Sequence, residues 1–487
     1  MLEKIKELSK DTAVYGFSTI IGRSIGFLLT PLYTNILGPD EYGIYSNVFA
    51  YLAFLNIVFI YGMDAAYMKY SANVREQDKK IIFSTAYLFV FLTTLLLGLF
   101  LYFIKVPFSQ LMEIPGRFGR LYLYLGLILI FDTLSLLPYA DLRLTRRAGK
   151  FSAIRLSNII LNILLNFILV LKYHLGIEAI FLSNLVASIF SFIVLSPEIF
   201  KKLVLRIDKK LLRLMLKFAL PYLPASVAAM IVQVIDRPVV LAMTDSSTLG
   251  IYQANYKLGV FMMLLVSVFQ YAWQPFILNN AKEKNAKELF AKILTLFLLV
   301  SGIAWIVLTL FVDDFARFQF MPGKSLIGVK YLSGLVIVPI VLLGYLFNGV
   351  YYNFLAGLYI EEKTKYIPFV TGAGAVINVV VNILFIPIIG IVGAALATLA
   401  SYIVMAAYSY YYAQKFYKIE YEYSKVVKII VLLFVTGGIY YYIYYQIGLN
   451  IYYKLILLAG FIAALFVLRV VEKKEVLKIG KLLLRIK

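Results

Sequence analysis

The sequence predicts an all-α integral membrane protein of about fourteen transmembrane helices, built as two parallel-repeat six-helix lobes plus two C-terminal helices. Three observations predict it: the composition, the recurrence of long apolar runs, and basic loops that alternate with the crossings. The chain is 62% hydrophobic and 15% charged with a mean hydropathy of +0.86. A soluble domain carries about a quarter charged residues, so this chain lacks the polar surface needed to cover itself against water. Apolar runs of about 20 residues recur along its length, each long enough for a hydrocarbon core of about 30 Å.

In order, the runs place spans at approximately 13–37, 44–64, 82–104, 121–141, 152–171, 177–196, 215–235, 250–272, 292–312, 331–353, 366–386, 390–411, 427–446 and 451–469. The stretch before the first span is short, basic and amphipathic, with no small-residue cleavage site after a short apolar region; it reads as the start of a retained first helix. Cytoplasmic loops collect Lys and Arg. With the N-terminus inside, the inner segments and the turns beside them hold 36 of the 47 basic residues, the outer ones nine, and Arg23 and Lys257 lie within spans. The bias alternates with every crossing, which predicts an even number of helices, both termini in the cytoplasm, and residence in the cell (inner or plasma) membrane.

The net charge of +21 is therefore a topology signal that also touches anionic lipid headgroups, and no nucleic-acid partner is expected. The basic tail, 471–487, is expected to lie along the inner surface as an amphipathic helix. Tyrosine clusters at Tyr408, Tyr410 to Tyr412 and Tyr440 to Tyr445 fall at span ends, as an interfacial aromatic belt would.

The chain repeats internally. Gly43-Ile44-Tyr45 opens the second span and Gly250-Ile251-Tyr252 opens the eighth, 207 residues later. Asn162 and Asn166 in span five match Asn378 and Asn382 in span eleven; Gly176-Ile177 and Gly390-Ile391 then start spans six and twelve. Six spans separate the copies, an even number, so both halves share one orientation, and substrate sites lie between such parallel repeats. The expected organisation is an N-lobe over 1–197, a cytoplasmic linker over 198–214, a C-lobe over 215–412, two further spans over 413–470 and the tail.

Ionisable groups at membrane depth are functional candidates by default. Arg23 sits about ten residues into the first span, roughly 15 Å deep at 1.5 Å per residue, too deep to snorkel easily. Lys257 lies early in span eight, Asp132 midway along span four, and Asp236-Arg237 close span seven at its outer end. Asp132 and Asp236 are candidates for ion coupling, Asp132 also for a fixed pair with Arg23. The amides Asn158, Asn162 and Asn166 stripe one face of span five, and Asn378 with Asn382 one face of span eleven. Such stripes either hydrogen-bond neighbouring helices or line a polar path. Pro31, Pro138, Pro221, Pro224, Pro339 and Pro368 are expected to interrupt helices and could serve as hinges.

Several chemistries are excluded or unsupported. With no cysteine and a single histidine, His174, thiol chemistry is absent and a zinc site nearly so. Gly323-Lys324-Ser325 suggests a phosphate loop, but the glycine required five residues earlier is Phe318. Asp313-Asp314 reads as part of a short solvated loop rather than a metal pair. No outer loop is long enough to hold the active site of a glycan polymerase, and nothing argues for an enzyme.

Leu37-Gly38-Pro39-Asp40-Glu41-Tyr42-Gly43 resembles the LGPxEYG signature of oligosaccharide flippases of the polysaccharide biosynthesis family (Wzx-like). These sit in the exporter superfamily that also holds MATE antiporters and lipid II flippases. Gly62-Met63-Asp64-Ala65-Ala66, Asp236-Arg237, Gly250-Ile251-Tyr252, Ala272-Trp273-Gln274-Pro275 and Gly390-Ile391-Val392-Gly393 look like that branch too, and in the same order. The resemblance implies a MATE-like fold and a flippase that moves an undecaprenyl-pyrophosphate-linked oligosaccharide to the outer leaflet. A cavity between the lobes would hold the headgroup, with Arg23 and Lys257 as diphosphate clamp and Arg237, Asn162, Asn166, Asn378 and Asn382 as further contacts. No cofactor is expected, an H+ or Na+ gradient could drive the cycle, and the chain is expected to act as a monomer alongside glycan-assembly machinery. Two other readings stay open: a MATE-like drug or cation antiporter, which favours acidic cavity groups, and a polytopic glycan polymerase.

Overall fold

The computed structural model describes residues 26–72 and 74–471. Among these, twelve helices are long and apolar enough to cross a membrane, and they coincide with the second to thirteenth predicted spans. The fourteenth appears as a shorter apolar helix, Ile451–Val467. Of the first span only its end is described, in α1 (Thr30–Ile36). Arg23 and the basic tail lie outside the described residues.

The helices of a membrane protein need not be amphipathic, because lipid is as apolar as a core. In α4 (Glu76–Phe103) Leu96, Leu99, Phe100 and Phe103 are all more than half exposed, an apolar stripe that only lipid can cover.

The chain forms two compact units. The first holds residues up to Lys257, with 327–331 and 378–394 added. Its core joins α2 (Pro39–Ile60) to α6 (Arg120–Leu144) and α8 (Ile177–Lys202) through Val48, Phe59, Leu125, Leu129 and Phe181. A second core joins α3 (Met63–Ser71) and α4 to α9 (Lys209–Ala219) through Tyr67, Phe83, Met215 and Ala219. Gly62, between α2 and α3, has φ +78°, and a Cβ there would stand 2.9 Å from the Ala219 carbonyl, so the turn requires glycine twice over.

At one end of this unit Asp141, 1% exposed, accepts from the Tyr67 hydroxyl at 2.6 Å and from Lys202 Nζ at 2.6 and 2.7 Å. Nearby, Glu198 accepts both guanidinium branches of Arg147, at 2.8 and 3.0 Å, and the ammonium of Lys150. Replacing Lys202 by Met strands a buried carboxylate and is expected to destabilise the fold by about 3 kcal/mol. Thermal unfolding in detergent reads this directly, and an unchanged midpoint would show that the pair contributes nothing.

In the second unit α13 (Val260–Asn280) and α14 (Ala286–Arg317) pack on α15 (Val338–Ile360), and α14 also carries α18 (Tyr423–Gln446) and α19 (Ile451–Val467). Trp305 Nε1 donates to the Pro339 carbonyl at 2.9 Å while its ring lies 3.5 Å from where a Cβ on Gly437 would stand. Tyr441 donates to the Val336 carbonyl at 2.7 Å, and buried Lys454 pairs with Asp314.

Two expectations need correction. Asp313 and Asp314 form no solvated loop: they sit in the last turns of α14, where Asp313 pairs with Arg317 at 2.9 Å and Asp314 with Lys454. Pro31 and Pro221 do stand at breaks, after the turn at Leu29 and in the turn at 220–221, but Pro224, Pro339 and Pro368 are first-turn residues of α10 (Tyr222–Val234), α15 and α16 (Ile367–Ile389). Proline fits there because the first amides of a helix have no partner to lose. Only Pro138 of the six lies inside a helix, whereas Pro197, Pro275 and Pro387, which the sequence reading passed over, also do. Gly323-Lys324-Ser325 turns a two-stranded hairpin, β1 (Gln319–Met321) with β2 (Lys324–Ser325), and opens no helix as a phosphate loop would.

Candidate functional site

The site in the first unit is built on the repeat. α2 crosses α12 (Ser246–Tyr256), the helix that opens the eighth span. A methyl group on Gly43 would overlap the Ser246 carbonyl, and one on Gly250 would overlap the Pro39 carbonyl. Gly43 and Gly250, like Pro39 and Ser246, are 207 residues apart, so the two copies of one motif meet each other reciprocally at glycine. Only absent side chains allow backbones this close. The Ser246 hydroxyl donates to Asp40, which Arg117 also contacts at 3.0 Å. Tyr331 donates to the Leu37 carbonyl at 3.0 Å and Asn255 Nδ2 to the Tyr331 carbonyl at 2.7 Å, sealing the crossing from the side.

Beside this crossing an aromatic group forms. Tyr42 and Tyr45 lie on one face of α2 with ring centroids 5.4 Å apart, flanked by Tyr33 and Tyr331. α12 tightens into a 3-10 turn, Lys257–Gly259, and this delivers the Lys257 ammonium to the two rings, 5.1 Å from the Tyr42 centroid and 5.3 Å from that of Tyr45. Lys257 Nζ is buried and has no hydrogen-bond partner among the described residues. Arg237, near the start of α11 (Asp236–Met243), acts electrostatically on Lys257 and on both tyrosines, and its Nε is also unpartnered. Asp236 forms no ion pair with Lys257 among the described residues: it lies within electrostatic reach of Arg237, its Oδ2 accepts from the Tyr252 hydroxyl at 2.5 Å, and Oδ1 has no hydrogen-bond partner among the described residues. Two cations therefore border one aromatic patch, with the ammonium left unpaired. Cationic side chains of this kind can pair with phosphate or carboxylate oxygens.

The other candidates are placed as follows. Asp132 is hydrogen-bonded to Ser188 and lies within electrostatic reach of Arg155, whose guanidinium stacks 4.5 Å from the Tyr139 ring. Asn158 Nδ2 donates to the Ala187 carbonyl at 2.6 Å and to Ser191 at 2.8 Å, which ties α7 (Ala148–Phe167) to α8. Asn166 Nδ2 donates to the backbone and side-chain oxygens of Asn162, and Asn382 does the same to Asn378. The copies then diverge. Asn166 Oδ1 accepts from Tyr33 at 2.7 Å, but Val240 stands 207 residues after Tyr33, and Asn382 Oδ1 and Asn378 Nδ2 are buried without partners among the described residues.

The sequence reading missed Tyr42 and Tyr45 as lysine partners and Arg155 as the charge beside Asp132. Tyr42 and Tyr45 had a signal, since Tyr42 lies in the Leu37–Gly43 motif that resembles the family and Tyr45 in the repeated Gly43-Ile44-Tyr45 string. Their spacing of three puts them on one helix face, but nothing local says that this face meets Lys257.

The profile of the polysaccharide biosynthesis protein family matches residues 8–280, more than half of the chain. The chain belongs to this family. An uncharacterized membrane protein of Haemophilus influenzae is 23% identical to it over 403 residues, covering 76% of this chain and 94% of its own length. The lipid II flippase MurJ, in an inward closed conformation, is 19% identical and superposes with a TM-score of 0.73, covering 94% of this chain and 98% of the flippase. An inward-facing multidrug resistance MATE family transporter of the MOP superfamily is 13% identical, with a TM-score of 0.63 over 81% of this chain and 94% of its own. This member of the polysaccharide biosynthesis family is thus a multi-pass membrane protein with the all-α MurJ and MATE transporter fold.

Proposed function

We propose that this protein flips an undecaprenyl-pyrophosphate-linked oligosaccharide from the cytoplasmic to the outer leaflet of the cell membrane by alternating access. Both termini are cytoplasmic in this reading, and the repeat-related lobes, 1–197 and 215–412, move against each other. The observation that carries it is the pair of cations, Lys257 and Arg237, around the Tyr42 and Tyr45 rings. A diphosphate supplies a partner for Lys257, and the positive charge of Lys257 and Arg237 disfavours a cationic drug, which argues against an antiporter of that class. Arg23 is proposed as a third contact to the same headgroup. Nothing in the arrangement asks for a bond to be broken.

The test is reconstitution of the purified protein into vesicles with a labelled undecaprenyl-pyrophosphate oligosaccharide, followed by protection of the sugar from an external glycosidase. Redistribution across the bilayer that depends on the protein is expected. A protein that leaves the lipid in place yet exports cationic dyes would overturn the reading in favour of the antiporter.

Asp236 is the proposed coupling carboxylate. Asp132 and Asp236 each accept from a hydroxyl and lie near an arginine, but Asp236 Oδ1 has no hydrogen-bond partner among the described residues, and neither has Asn382 Oδ1 in the same unit. Asp236→Asn is expected to make flipping insensitive to imposed H+ and Na+ gradients. Retained gradient dependence would return the role to Asp132.

A further inference from the structure

Between Phe200 and Lys217, the turn from span six to span seven, seven residues are Lys or Arg and one is acidic. Two of these charges are already used. Lys202 is held by Asp141. Asp208 caps α9: its Oδ1 accepts from the amides of Leu211 at 3.0 Å and Lys210 at 2.9 Å, which hold the carboxyl below the usual carboxylate range. The remaining six, Lys201, Arg206, Lys209, Lys210, Arg213 and Lys217, are all exposed, and none forms an ion pair among the described residues.

Large apolar side chains stand exposed between them: Phe200 at 74%, Leu205 at 87% and Leu214 at 51%. The helix that carries most of these groups is fixed on its other side. Met215 and Ala219 are buried against α3 and α4, Tyr70 donates to the Leu214 carbonyl at 3.3 Å, and Lys69 lies 3.8 Å over the Phe218 ring. The exposed face is thus presented, not incidental. Cations alone would suit any polyanion, but exposed Phe and Leu among them need an apolar layer directly beneath the anionic one, and a phospholipid leaflet has that layering.

We propose that the Phe200–Lys217 elbow is a docking surface for anionic phospholipid headgroups of the adjoining leaflet, with Phe200, Leu205 and Leu214 seated at the acyl boundary. α9 leads through Pro221 into α10 (Tyr222–Val234) and on to Asp236-Arg237, so the lipid seat fixes the depth of the arm that carries Arg237. The proposal does not rest on the flippase reading, since lipid preference is measured without substrate.

The chain has no cysteine, so L214C labels at one position. The full-length variant, carrying an environment-sensitive fluorophore, is reconstituted in phosphatidylcholine vesicles with a small equal fraction of brominated phosphatidylglycerol or brominated phosphatidylcholine. At low salt the anionic quencher is expected to act as if enriched at least about fivefold, the factor that one basic residue near the surface confers. High salt should remove the difference on the same sample, as should the combined K209Q, K210Q, R213Q and K217Q changes in a protein that still elutes as a single species. If that variant does not fold, the salt titration decides alone. Equal quenching by the two lipids at low salt, or a label that neither lipid reaches, would overturn the proposal.

Discussion

Lys257→Met is expected to abolish flipping while leaving the protein at least as stable as the parent, and the two effects share one cause. The Lys257 ammonium is buried, held over two tyrosine rings at 5.1 and 5.3 Å, and without a hydrogen-bond partner among the described residues. An uncompensated buried charge is a liability to the resting fold, so a Met of similar length should raise stability by about 1–3 kcal/mol once the cation–π attraction is deducted. The same change removes a charge-assisted bond to phosphate of about 1.5–3 kcal/mol, or roughly ten- to hundredfold in headgroup affinity. Lys257→Arg keeps the charge and should restore part of the activity, because guanidinium also pairs with phosphate. Flipping in vesicles and thermal unfolding in detergent read the two halves separately. A variant that loses stability together with activity would make Lys257 a structural residue and remove the main support for the anion site.

Gly43→Val and Gly250→Val should each prevent the reciprocal crossing of α2 and α12. At Gly43 the added side chain meets the Ser246 carbonyl, and at Gly250 that of Pro39; both obstacles are backbone and cannot rotate away. Overpacking of this kind costs about 1–3 kcal/mol. The functional loss should be larger, because the crossing also brings Asp40 to Ser246 and Tyr331 to Leu37. Both variants are expected to insert normally, unfold at lower temperature and lose most flipping activity. Because the two glycines form one contact, the double variant should lose less stability than the two single losses added together. Full additivity would mean that the helices do not meet at these residues.

How much of this was legible depended on the range of the physical cause. The spans were readable because the bilayer imposes one length on every crossing, and Leu96 or Phe103 need no partner beyond lipid. The repeat was readable because Gly43-Ile44-Tyr45 and Gly250-Ile251-Tyr252 are similar strings. Pro339 and Pro368 were misplaced because an apolar run does not mark its own first turn, and only the cap position separates a starting proline from a breaking one. Asp313 and Asp314 were misread because their partners, Arg317 and Lys454, lie one turn and 140 residues away respectively.

The sequence by itself determined that this chain belongs in a bilayer, crosses it about fourteen times, is duplicated, and carries Lys257 and Asp236-Arg237 where lipid would reject them. Each of these follows from a property that a residue has alone or shares with near neighbours. Only the tertiary structure decided that the two glycine motifs pack against each other, that Lys257 rests on Tyr42 and Tyr45 with no acidic partner among the described residues, and that Asp132 is occupied by Ser188 and Arg155. The physical reason is that neutralisation and close approach are properties of pairs. In this fold the members of each pair come from helices far apart in the chain.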